Sequence, residues 1–131
     1  MSTERWYTKS HEWIRLEGKT GTVGISDHAQ KEVTDVVYVE MPKVGKALKA
    51  GEEATTLESV KAAFSIYAPV SGTISKTNHA LEGDPGLINK SPYEDGWIFA
   101  MEIADLSELS RLMTEDQYLE FLKSGEAAAH H

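Results

Sequence analysis

Glu58-Ser59-Val60-Lys61-Ala62-Ala63, followed by Ile66-Tyr67-Ala68-Pro69-Val70-Ser71-Gly72, is the stretch on which the fold turns. Apolar and β-branched residues flank a lysine on both sides, and a Pro and a Gly close the segment. The pattern predicts strands over 54–60 and 65–67 with Lys61 in the turn between them. Three uses of such a lysine compete. A Schiff-base or general-base lysine needs burial or a cationic neighbour to lower its pKa. Glu58, Ser59 and Ala62 offer no cation, and a nearby glutamate favours the charged form. An ordinary solvated lysine needs no explanation. An acylation site needs a protruding turn, small neighbours that fit a modifying enzyme, and a rigid base. Ser59, Ala62 and Ala63 are small, and the two strands are the base.

Outward from this hairpin, the first two-thirds of the chain read as short strands and turns. Trp13-Ile14-Arg15-Leu16 and Thr20-Gly21-Thr22-Val23-Gly24-Ile25 alternate around Glu17-Gly18-Lys19, a hairpin signal. Ser26 or Asp27 can cap a short helix to about Glu32, with Asp27 and Gln30 at capping-box spacing. Val36-Val37-Tyr38-Val39 is a buried-strand run, and further strands are expected over 72–76 and 97–103, the last after an Asp95-Gly96 turn. Beyond Ala104, the spacing of Leu106, Leu109, Leu112 and Met113 is helical. Thr114 and Gln117 form a capping box that opens a second helix, with Gly125 as its C-cap. These helices are expected to cover a sheet edge and carry no chemistry. Ala47-Leu48-Lys49-Ala50-Gly51-Glu52 echoes Ala80-Leu81-Glu82-Gly83-Asp84 on either side of Lys61, which suggests a duplicated β-unit with the lysine at an exposed end.

The 131 residues are enough for one domain over 1–126 with a sizeable core. Thirteen basic against twenty-one acidic residues give a formal charge of −8, which disfavours nucleic-acid binding and suits steered docking onto basic partner surfaces. With no cysteine there is no disulfide, thiol nucleophile or thiolate metal site, so any redox sulfur has to be imported. No apolar run approaches the roughly 18 residues of a membrane span. The amino terminus has neither the apolar core of a signal peptide nor an Arg-rich presequence, and reads as that of a bacterial cytoplasmic protein, a mature mitochondrial form being the alternative. Residues 127–131, Ala127-Ala128-Ala129-His130-His131, look like a tag remnant. His11, Glu12 and His28 lack the His-Glu-x-x-His spacing of a helical zinc site, so no metal is expected.

Glu58-Ser59-Val60-Lys61-Ala62, with Gly72 downstream, resembles the lipoylation hairpin of lipoyl-type carrier domains. The resemblance narrows to the glycine cleavage H-protein family through Tyr7-Thr8-Lys9-Ser10-His11-Glu12-Trp13, Val23-Gly24-Ile25-Ser26-Asp27-His28-Ala29-Gln30, Val36–Val39 with Glu40-Met41-Pro42, and Leu87-Ile88-Asn89-Lys90-Ser91-Pro92-Tyr93-Glu94-Asp95-Gly96-Trp97. It spans about residues 7 to 123. It implies a mainly β barrel-sandwich hybrid of lipoyl/biotinyl type, with a short internal helix and a C-terminal helical extension. It also implies lipoic acid in amide linkage on Lys61, recognised through Glu58, Ser59, Val60 and Ala62. The arm has about eleven bonds and a reach of roughly 14 Å when extended. The implied partners are a glycine decarboxylase (P protein), an aminomethyltransferase (T protein), a dihydrolipoyl dehydrogenase (L protein) and a lipoate ligase or lipoyl/octanoyl transferase. The chain itself is expected to be a monomeric, non-catalytic carrier.

The same resemblance implies a cleft that shields the loaded arm, lined here by Ser10 and Glu12. The chain departs from the family at two places. Ser65, after bulky Phe64, stands where an acidic residue is expected, and its neutrality predicts a loaded arm held less tightly, or held differently, than in typical members. Thr34 stands where glycine is expected. Competing readings keep the hairpin and change its use. A lipoate-relay platform for the 2-oxoacid dehydrogenases would use the same Glu58 and Lys61. A biotin carrier is disfavoured because Val60 and Ala62 stand where methionines are usual, and an unmodified interaction module needs Lys61 to remain a free amine.

Overall fold

The computed structural model describes residues 4–124. In chain order the strands are β1 (Arg5–Tyr7), β2 (Glu12–Glu17), β3 (Thr20–Ile25), β4 (Val36–Val39), β5 (Ala47–Leu48), β6 (Glu53–Ser59), β7 (Ala63–Tyr67), β8 (Gly72–Thr77) and β9 (Phe99–Ile103). Helix α1 (Asp27–Val33) follows β3, two short helices α2 (Ala80–Gly83) and α3 (Leu87–Lys90) lie between β8 and β9, and α4 (Glu115–Lys123) closes the described chain. A six-stranded sheet runs β1-β2-β3-β9-β8-β5 and a three-stranded sheet runs β4-β6-β7, every pairing antiparallel. Alternate residues of both sheets meet in one core that includes Ile14, Val23, Leu57, Ile66, Ile74 and Met101. Side chains alternate between the two faces of a strand, and on the far side of β1 and β2 Tyr7 and Trp13 join Tyr118 and Phe121 in a second cluster.

The mainly β architecture with a short internal helix and helical C-terminus is the one expected, and local chemistry accounts for most of its elements. Ser26 caps α1, its hydroxyl accepting from the Ala29 N–H. Asp27 instead lies inside the helix, where its carboxylate accepts from Gln30 and pairs with Lys31. Thr114 and Gln117 form the expected capping box of α4. Tyr118 and Phe121 of α4 then bury against β1, the edge of the larger sheet, with Tyr118 stacked on Tyr7 at 4.3 Å between ring centroids. The helix thus covers the edge strand as expected.

Three expectations need correction. The helix expected from Leu106 to Met113 is a 3-10 helix over Leu106–Arg111. Leu112 is extended, and Met113 exchanges backbone hydrogen bonds with Tyr7, so pairing to β1 takes the chain out of the helix. Strand 97–103 begins only at Phe99, because the Asp95-Gly96 turn extends into Trp97, whose N–H bonds to Glu94. The two echoing segments fold differently, Ala47–Leu48 as strand and Ala80–Gly83 as helix, so they are not a structural duplication. Gly125 lies outside the described residues, and α4 is followed by Ser124 as its C-cap.

Thr34, the residue after α1, explains why glycine was expected there. Its φ of 66° and ψ of −157° fall in a region that is essentially glycine-only. A β-branched side chain is strained in it. Replacing Thr34 with glycine relieves that strain but adds freedom to the unfolded chain. The expected net effect is a gain of about 1 kcal/mol, read as a higher urea midpoint, and an unchanged or lower midpoint would count against it.

Candidate functional site

The β6–β7 hairpin is closed by Ser59, Val60, Lys61 and Ala62. Ser59 N–H donates to the Ala62 carbonyl at 2.8 Å, and the Ser59 hydroxyl accepts from the N–H groups of Lys61 (3.0 Å) and Ala62 (3.2 Å). A serine opening a tight turn does this because its short hydroxyl reaches backbone two residues on. Val60 N–H donates to the Asp35 carbonyl at 3.0 Å, which ties the tip to the segment before β4. Glu58, Val60, Lys61 and Ala62 are all exposed, Val60 by 68%. The Lys61 ammonium donates to the Glu32 carbonyl, at 3.3 Å.

Beside this hairpin runs a cleft of about 710 Å³. One wall is β7, from Ala63 to Tyr67; the other is the face of α1 that carries Ala29, Glu32 and Val33; residues 9–12 and Ile25 complete it. Ser10, Glu12 and Ser65 all line this cleft, which begins next to the lysine tip.

Glu12 dominates its chemistry. It is only 1% exposed, and its side chain accepts from the hydroxyls of Thr8 and Ser10 (both 2.6 Å) and from the Tyr67 backbone N–H (3.1 Å). The left-handed backbone of His11 (φ 75°) turns the chain so that Glu12 enters the cleft. The His11 Nδ1 lies 2.8 Å from the Tyr118 hydroxyl, which also lies 2.6 Å from the Ser26 hydroxyl. Burial pushes the Glu12 carboxyl up from its ordinary value, against the opposing pull of its Ser10, Thr8 and backbone hydrogen bonds. Its negative form is thus held in a dry place by three donors, with no ion-pair partner among the described residues.

A carboxyl raised in the folded state binds protons more tightly there than in the unfolded chain, so stability falls as pH rises from the unfolded value through the folded one. Glu12→Gln removes this titration. The expected outcome is a stability gap between wild type and Glu12→Gln that moves in favour of the variant between about pH 4 and pH 7. Urea titrations at both pH values measure it, and a constant gap would contradict the assignment.

Ser65 differs from expectation in its partner. Its hydroxyl donates to Glu53 Oε1 at 2.5 Å, so a carboxylate from β6 lies against the position where an acid was expected. Glu32 and the His11–Tyr118 contact were not singled out from the sequence. The spacing of Ala29, Glu32 and Val33 on one helical face was the available signal for Glu32. Among the described residues no group of three or more His, Cys, Asp or Glu side chains is arranged to hold a metal ion.

Comparison with known proteins agrees with this geometry. The sequence profile of the family described as "Glycine cleavage H-protein" matches residues 5–125. The chain belongs to the glycine cleavage H-protein family. It is 52% identical over 115 residues to the glycine cleavage system H protein of Thermotoga maritima, covering 88% of this chain and 93% of that one. Identity to the H protein of Beijerinckia indica is 53% over 124 residues, covering 95% and 99%. The crystal structure of a glycine cleavage system H protein from Mycobacterium marinum superposes with a TM-score of 0.83 at 32% identity, covering 95% of this chain and all of the other. The two-sheet arrangement is thus the lipoyl-type barrel-sandwich of the H-protein family, whose members are lipoyl carriers. Among the described residues, no helix is long and apolar enough to cross a membrane.

Proposed function

We propose that Lys61 carries lipoic acid in amide linkage and that this chain, as a single carrier domain over 1–126, shuttles the aminomethyl group of glycine between the enzymes of the glycine cleavage system. The observation that carries the reading is an exposed lysine on a rigid turn at the head of a cleft with a buried carboxylate. When bound, the dithiolane supplies a disulfide that accepts two electrons and the aminomethyl unit left after glycine loses its carboxylate.

The polypeptide's own part is to present, shelter and release. Ser59 fixes the turn, so the lysine side chain leaves from a defined point. Glu58, Val60 and Ala62 are the surface that a lipoate ligase or lipoyl/octanoyl transferase reads. Ser65 stands four residues along β7 from Lys61, at most about 13 Å at the rise of a strand, within the reach of the arm. Ser10, Glu12 and Ser65 receive the cationic cargo: the Glu12 carboxylate pairs with the amine in a site where few waters compete. Glycine decarboxylase loads the carrier, aminomethyltransferase unloads it to tetrahydrofolate, and dihydrolipoyl dehydrogenase restores the disulfide. A tethered arm raises the local concentration at each docked enzyme. The acidic surface steers these encounters, the chain acts as a monomer, and the setting is the bacterial cytoplasm.

Lipoylated protein incubated with glycine and glycine decarboxylase is expected to gain the mass of one aminomethyl group on one sulfur and one hydrogen on the other, the mass of glycine less carbon dioxide, with the modification mapping to Lys61. A lipoylated chain that gains nothing in the presence of active decarboxylase would sink the shuttle reading.

A further inference from the structure

The cleft has a second carboxylate that the sequence reading did not use. Ala29, Glu32 and Val33 lie at i, i+3 and i+4 on α1 and together face β7. Side chains on a helix lean toward its N-terminus. Glu32 does so: its Oε1 lies 2.7 Å from His28 Nε2, one turn back along α1, with both side chains about one-third exposed (30% and 32%). The His28 ring in turn sits 4.7 Å from that of His11, the residue before Glu12. Glu32 is therefore held by His28 in the wall of the cleft that Glu12 also lines.

On β7 the facing position is Ser65, which is neutral and whose hydroxyl is turned to Glu53. Glu53 is exposed on β6 and does not line the cleft, so Glu32 is the better placed anion. The amine of Lys61 lies 3.3 Å from the backbone carbonyl of Glu32. An acyl arm built on that nitrogen starts at the α1 wall. Acylation also removes the ammonium charge from the cleft mouth, leaving the neighbourhood of Glu32 and Glu12 more negative than before.

We propose that Glu32 is an anionic positioning residue of the cleft, which together with Glu12 holds the cationic end of the loaded arm and does from α1 what a carboxylate at position 65 would do from β7. This rests on the carrier reading above. It also reverses the consequence expected from Ser65 alone, because the cleft keeps two carboxylates.

The test uses protein loaded with glycine and glycine decarboxylase, comparing wild type, Glu32→Gln and Glu32→Gln combined with Ser65→Asp. Intact mass follows the lifetime of the aminomethyl unit, and the carboxyl carbon signal of Glu32 is followed by NMR before and after loading. Glu32→Gln is expected to shed the unit about fivefold faster, the upper range for a part-exposed ion pair. Ser65→Asp should restore the lifetime in the double variant, which a merely structural defect in α1 would not allow. The Glu32 signal should shift on loading in wild type. Equal lifetimes for wild type and Glu32→Gln, absence of rescue, or an unmoved Glu32 signal would each overturn the proposal. Normal loading with equal lifetimes defeats Glu32 alone, whereas lipoylated wild type that never loads defeats the carrier reading and this proposal with it.

Discussion

Replacing Lys61 with arginine is expected to abolish glycine cleavage in a reconstituted system while leaving the protein folded. The turn that presents Lys61 is held by the Ser59 hydroxyl and by backbone bonds, and the lysine side chain adds the 3.3 Å contact to the Glu32 carbonyl. An exposed substitution of this kind changes stability by no more than about 0.5 kcal/mol. Arginine keeps the positive charge and much of the length, yet its guanidinium stays protonated and offers no amine for acylation. Carriage should therefore fall to background with an unchanged urea midpoint. Retained turnover in Lys61→Arg would mean that the cargo travels by another group.

The largest expected loss of stability comes from Gly72→Ala. Gly72 begins β8 between β5 and β9, opposite Leu48 on one side and Ile103 on the other. A Cβ there would stand 2.2 Å from the Glu102 carbonyl oxygen and 3.0 Å from the Met101 methyl carbon. The first clash is with backbone, which is fixed by pairing, so relief requires parting two strands of the larger sheet. The cost is expected to be about 3 kcal/mol, a large share of a typical total of about 5–15 kcal/mol. Gly83→Ala is the control, since no atom lies within 4 Å of its added carbon, and its effect should be small. A Gly72→Ala midpoint close to that of Gly83→Ala would contradict the packing described.

The hairpin and its lysine were legible because their signals are local. Ser59 at a turn, small residues around Lys61 and β-branched flanks all lie within a few positions of one another, and β6 and β7 formed where those signals lay. The cleft was less legible because it is made by distant parts of the chain. Glu12 is buried through an N–H from Tyr67, 55 positions away, which no local pattern announces, and Ser10 and Glu12 were reached only through the family resemblance. Glu32 was hidden inside a helix that reads as an ordinary amphipathic segment. The segment from Leu106 misled for a related reason: a three-residue spacing of leucines suits a 3-10 helix as well as an α-helix, and pairing of Met113 to Tyr7 decides where the helix ends. Thr34 is the reverse case: its departure from the expected glycine was legible, but the positive φ that makes the departure costly was not.

The central claim is that the reactive centre is not a side chain of this polypeptide but a group fastened to Lys61. Peptide-level mass spectrometry of protein purified from a host with active lipoylation tests it most directly. The expected result is a lipoyl adduct on the peptide that contains Lys61, lost in Lys61→Arg and absent from every other lysine. A free Lys61 amine in such a host, or a lipoyl group on a different lysine, would contradict it.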